Sequence, residues 1–245
     1  MKKYLSIFLS AVLIVTLVVG CGSKDDNINN GNSNTTNKDK KTSVNNLSES
    51  YTRFVEAKSG MTNKLTDIAD ESENFMLSMA LLPLVMADMS VLPATICGLD
   101  ELSAETALAF LYNDVKYNNN GNDCTVTFKT SEGEVSKFSS KYDPKTDSAT
   151  MTVYDENDAP ILISEYAKVK NGYASQYYYY DDGGTSIHYK SVFIGDNIYS
   201  SAFEDVSKPT SIFKNNKLDE DFGKGGTVWY IEYVDGVSKV SFNEE

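Results

Sequence analysis

The residues that decide the fold are 161–180, ILISEYAKVKNGYASQYYYY. Two runs rich in β-branched and aromatic side chains flank Asn171-Gly172, a pair suited to a tight hairpin. In the second run Tyr173, Tyr177 and Tyr179 share one side of an extended chain, and Tyr178 and Tyr180 share the other. Working outward, turn residues recur at Asp143-Pro144, Asp155-Glu156-Asn157-Asp158, Asp181-Asp182-Gly183-Gly184, Gly195-Asp196-Asn197 and Asp235-Gly236. Period-two alternation between them predicts strands over 124–129, 135–141, 149–154, 161–169, 173–180, 185–193, 198–203, 227–234 and 237–242. Residues 204–226 interrupt this run as a loop with room for a short helix.

Toward the amino terminus the period changes. Tyr51, Phe54, Val55, Met61, Leu65, Ile68 and Ala69 recur at spacings of three and four, which predicts one apolar helix face with Gly60 as a weak point. Residues 75–92 are apolar nearly all round, broken by Ser78, Pro83, Asp88 and Ser90. This predicts a helix buried between other elements and kinked at Pro83, rather than a membrane span, because Asp88 lies inside it and basic flanks are missing. A third helix starts near Ser103 as its cap, with Ala104, Ala107, Leu108 and Leu111 on one face. Helices over 48–112 followed by strands over 122–245 predict a single α+β domain over 48–245. Its N-terminal helices pack on a curved antiparallel β-meander of about 8–9 strands.

The first fifty residues have a different character. Met1-Lys2-Lys3 precede an apolar run of about 15 residues, shorter than the roughly 20 that span a bilayer, in the layout of a secretory signal peptide over 1–20. The run ends at Val18-Val19-Gly20-Cys21, which resembles the lipobox of bacterial lipoproteins. The resemblance implies cleavage before Cys21, a diacylglyceryl group on its thiol, and anchorage at the extracytoplasmic face of a cell membrane. Residues 21–47 are almost entirely Gly, Ser, Asn, Thr, Lys and Asp, too poor in apolar surface to fold, and read as a tether. Its root-mean-square reach is on the order of 25–30 Å.

The formal charge is −13, and loss of Lys2 and Lys3 with the signal takes the mature chain to about −15. That excludes nucleic acid as a natural partner and disfavours close docking on anionic lipid. Arg53 is the sole arginine, so guanidinium sites for phosphate are scarce. Export permits a disulfide between Cys97 and Cys124, with two buried free thiols as the alternative.

Catalytic signals are weak. His188, the one histidine, alternates out of step with Ile187, Tyr189 and Phe193 and reads as an exposed polar-face residue. No catalytic residue, metal ligand or cofactor is assigned. Asp155–Asp158 and Asp181-Asp182 lack the order of a calcium loop and read as turns. Met76, Met79, Met86 and Met89 form two Met-x-x-Met pairs on one helix, a spacing open to copper(I) but equally to core packing against the sheet. In the last strands Trp229, Ile231 and Tyr233 alternate with Val228, Tyr230 and Val234.

A sheet aromatic on both faces needs cover on both, and the helices can cover only one. The expected function is therefore a non-enzymatic, membrane-anchored binding lipoprotein. It would hold a hydrophobic molecule, glycan or peptide on a Tyr-rich sheet face. The alternative is a protein–protein interaction or assembly subunit of the cell envelope. The layout is similar to that of half-barrel lipid carriers of bacterial envelopes, by analogy of arrangement alone.

Overall fold

Period-two alternation after the helices builds one open antiparallel sheet of ten strands. In the computed structural model β1 (Asn113–Asn120), β2 (Asp123–Lys129), β3 (Val135–Asp143), β4 (Ser148–Tyr154), β5 (Pro160–Val169), β6 (Gly172–Tyr179), β7 (Ile187–Ile194) and β8 (Asn197–Glu204) each pair with the next. Two short strands, β9 (Phe213–Lys214) and β10 (Lys217–Leu218), pair only with each other. The chain then returns as β11 (Trp229–Val234) against β8, and β12 (Val237–Phe242) ends the sheet.

The structure describes residues 46–71, 75–130, 133–180, 186–204, 206–208, 211–214, 217–218 and 222–242. The readings placed on Cys21, the lipobox, the tether before residue 46 and the turn at 181–184 lie outside the described residues. These strands and the helices below belong to one unit, Val44–Glu245.

The α+β class and the meander stand as read, with corrections in detail. β1 was missed because Asn-Asp-Val-Lys-Tyr-Asn-Asn-Asn has little strand propensity. It forms as an edge strand because Asn120 and Asp123 pair across the turn at Gly121, whose φ is 66°. No helix occurs among the described residues of 204–226; β9 and β10 lie there instead. At Asn171-Gly172 the positive φ (64°) belongs to Asn171. Gly172 is needed for another reason: a Cβ there would sit 1.9 Å from the Phe193 carbonyl oxygen.

Three helices precede the sheet: α1 (Leu47–Glu71), α2 (Phe75–Ser90) and α3 (Glu101–Leu108), with a 3-10 turn, Leu92–Ile96, before α3. α1 is unbroken at Gly60, and Leu47, assigned to the tether by composition, is buried. Tyr51, Phe54, Met61, Leu65 and Ile68 are buried at three–four spacing. α3 is capped by the Asp100 carboxylate, which accepts from the Ser103 amide at 3.1 Å, so the cap lies three residues before the expected one. Ala104 and Leu108 face inward, but Leu111 is exposed.

The two faces of the sheet differ along its width. In β2–β4 burial alternates: Cys124, Val126, Phe128, Phe138, Ser140, Tyr142, Met151 and Val153 point inward, while Thr125, Thr127, Ser139, Lys141, Thr150 and Thr152 point out. β5–β8 are buried on both faces, as expected of strands with cover on each side. On the helix side Phe54 stacks on Tyr166 with ring centroids 4.5 Å apart, and Tyr173 meets Phe54 edge-on at 5.6 Å. Cys97, just after the 3-10 turn, is joined by a disulfide to Cys124 of β2, tying the helical layer to the sheet.

Candidate functional site

The tyrosines singled out in the sequence do not form an open surface. Tyr173, Tyr177 and Tyr189 lie under the helices, and Trp229 packs 6.1 Å from Tyr189 in the same core. On the opposite face the expected outside occupant is replaced by the chain itself. Described residues between 206 and 226 lie over β5–β8: Ile212 and Phe222 pack with Ala167, Ala174, Val192 and Tyr199. Gly223 runs so close to β8 that a Cβ would stand 3.2 Å from the Tyr199 carbonyl oxygen. The crossing segment is also pinned by polar groups. Tyr178 Oη and Ser186 Oγ donate to the Val206 carbonyl at 3.0 and 2.7 Å. Sequence showed that this face needed cover; only distant packing shows where the cover comes from.

His188 is a correction. It is buried among Tyr178, Phe203 and Gln176 rather than exposed. Glu165, also buried, accepts from Gln176 Nε2 at 2.6 Å, Ser211 Oγ at 2.6 Å and the Ile212 amide at 3.0 Å. A carboxylate only accepts, which orients the Gln176 amide and leaves its Oε1 facing His188 Nε2 at 3.0 Å. His188 therefore donates from Nε2. Burial, then the like charge of Lys190, pulls its pKa from 6.5 to about 4. Glu165, Gln176 and His188 thus clamp the crossing segment onto the sheet and are engaged in holding the fold.

A second polar cluster sets how α2 is rotated. Lys58 occupies the core stripe of α1 between Phe54 and Met61, the place the sequence reading passed over, and is 1% exposed. Its Nζ donates to Asp88 Oδ2 at 2.8 Å and to the Leu84 carbonyl at 2.9 Å, and lies 4.3 Å above the Tyr177 ring. Tyr177 Oη donates to Asp88 Oδ1 at 3.0 Å, and Tyr179 Oη to the Pro83 carbonyl at 3.0 Å. Burial lowers the Lys58 pKa, with Asp88 opposing the shift. A lysine at a core position of one helix and an aspartate inside an apolar run of another was the available signal for this pair.

Pinned in this way, α2 turns its one charge inward together with Leu77, Leu81, Leu84 and Ala87, which are buried. The outcome on its other side corrects the expectation of a helix buried all round with methionines toward the sheet. Met79, Leu82, Met86 and Met89 lie at spacings of three, four and three and are 45%, 49%, 44% and 46% exposed. They form one apolar stripe without a charge; the Met76 side chain lies outside the described residues. The helical stretch 77–96 is long and apolar enough to cross a membrane by length and composition, with a mean hydropathy of 1.7. Its inner face, however, belongs to the domain core. Leu102, Phe110 and Leu111, on and just after α3, are exposed as well.

The acidic turn at 155–158 is occupied by its own backbone: Asp155 Oδ1 accepts from the amides of Asn157 and Ala159, and Asp158 pairs with Lys137 at 2.8 Å. Among the described residues no three His, Cys, Asp or Glu side chains are grouped to hold a metal ion. Comparison of the chain with family models, with curated proteins and with solved structures finds no match.

Proposed function

We propose that this chain is a lipid-anchored, extracytoplasmic binding lipoprotein without enzymatic activity, and that its binding surface is the outer face of α2. The carrying observation is the stripe Met79, Leu82, Met86 and Met89, each close to half exposed on a helix whose only charge points inward. Methionine is unbranched and polarizable, and adapts to apolar partners of varied shape. A row of such side chains left in water is the mark of a contact surface. The tyrosine faces contribute by building the core that holds α2, through Tyr177 and Tyr179. Filling of both sheet faces supports the interaction reading over carriage of a small molecule on a tyrosine face.

Anchorage rests on Val18-Val19-Gly20-Cys21, and the non-enzymatic reading is supported by the engagement of His188 and Glu165 in holding the fold. Two experiments test the proposal. Cys21→Ala should abolish labelling by a radioactive fatty acid and release the chain from the membrane fraction; unchanged labelling rules out the anchor. A photo-crosslinking amino acid at position 82 in intact cells should give a discrete adduct, whereas one at Ile161 should not. Equal adducts from both positions would remove the stripe as the binding surface.

A further inference from the structure

The stripe on α2 sits in a one-signed surround. From Leu65 to Tyr112 the sequence holds eight acidic residues and no lysine, arginine or histidine. Asp88 is neutralised internally by Lys58. Exposed Asp70 and Glu71 precede α2, and exposed Asp100 and Glu101 follow the 3-10 turn after it. The cations of the helical layer are all on α1: besides Lys58, Lys64 lies 4.6 Å above the Tyr233 ring and Arg53 is half-buried.

We infer that the occupant of this face is a basic amphipathic helix of a partner protein; the inference rests on the stripe being the binding surface. An apolar strip in a stretch with exposed carboxylates before and after it and no cation matches a helix with apolar side chains at three–four spacing and lysine or arginine on its polar face. A second copy of this chain would bring the same negative surround, and an anionic bilayer the same sign, so both meet repulsion where the basic helix meets attraction. The 16 residues of α2 extend about 24 Å at about 1.5 Å per residue, which matches a partner segment of about four turns.

The test uses the full chain, carried by its anchor in phosphatidylcholine nanodiscs. The probe is a labelled leucine–lysine amphipathic helix about 18 residues long, read by fluorescence anisotropy, with a leucine–glutamate helix of equal length beside it. The leucine–lysine helix should bind saturably and the leucine–glutamate helix should not. Leu82→Ser with Met86→Ser should weaken binding roughly tenfold or more through lost apolar burial, while Ile161→Ser leaves it unchanged. Asp70→Asn with Glu71→Gln should flatten its salt dependence.

Equal affinity of the Leu82/Met86 variant with unchanged circular dichroism would overturn the inference, because charge alone would then explain the binding. Binding of the acidic helix, dimers that dissociate on Leu82→Ser, or burial of a label at position 82 by phosphatidylglycerol vesicles would overturn it too. Failure of the anchor shows separately, as a chain that does not enter nanodiscs. The same titration then proceeds with the chain in solution.

Discussion

Acid should loosen the segment that crosses the outer face of the sheet, and His188 sets the range. The imidazole is 5% exposed, and its charged form has to be accommodated between Tyr178 and Phe203, with Lys190 two residues along the same strand face. Unfolded, the group titrates near 6.5; folded, it titrates at about 4. Because the folded pKa is the lower one, the unfolded chain binds the extra proton between these values. The contribution to stability is complete above pH 6.5 and is lost as the pH falls to about 4. At about 1.4 kcal/mol per pH unit the full loss is about 3 kcal/mol. Urea unfolding followed by tryptophan fluorescence reads this directly, since Trp229 is buried in the core. His188→Gln removes the titrating group and keeps a side chain able to donate to Gln176 Oε1. Relative to the parent chain, the fall in unfolding free energy between pH 7 and pH 4 should shrink by about 3 kcal/mol. A variant whose stability falls as steeply with acid as the parent's would refute the assignment of a buried, neutral His188.

Three further outcomes follow from the packing. Lys58→Met alone strips Asp88 and Tyr177 of their cation and should cost about 3 kcal/mol; adding Asp88→Leu should recover most of it, and a double variant no better than the single would show that the pair does not act as a unit. Reduction of Cys97–Cys124, separated by 27 residues, should cost about 3 kcal/mol in urea melts with and without dithiothreitol, with an unchanged midpoint as the contrary result. Ser164 and Ser175 are buried on the helix side of β5 and β6 with no hydrogen-bond partner for their hydroxyls among the described residues. Replacing either with alanine should therefore leave stability unchanged or raise it by up to about 1 kcal/mol in thermal melts, and a clear loss would contradict the packing described.

How much of this was legible beforehand depended on how local the cause was. β2–β4 could be read because their neighbours in sequence are their neighbours in the sheet, and alternation reports directly which side chains are wet. β1 could not, since an edge strand forms by pairing with β2 in spite of its own asparagines. His188 was misread because period two separates two faces but does not say whether the second is covered. The Asn171-Gly172 turn was legible from the pair itself, whereas the demand for glycine made by the approach of Phe193 on β7 is visible only in the packing.

The same division runs through the candidate site. Composition and period alone determined an acidic α+β chain of helices followed by an antiparallel meander. Only tertiary structure decided that the tyrosines are core, that Ile212, Phe222 and Gly223 cover the outer face, and that α2 shows its methionines to solvent. Nearly every side chain of α2 is apolar, so its sequence carries almost no amphipathic signal to say which face turns inward. The choice falls to Lys58, Tyr177 and Tyr179, residues of other elements that grip Asp88 and the carbonyls of Pro83 and Leu84.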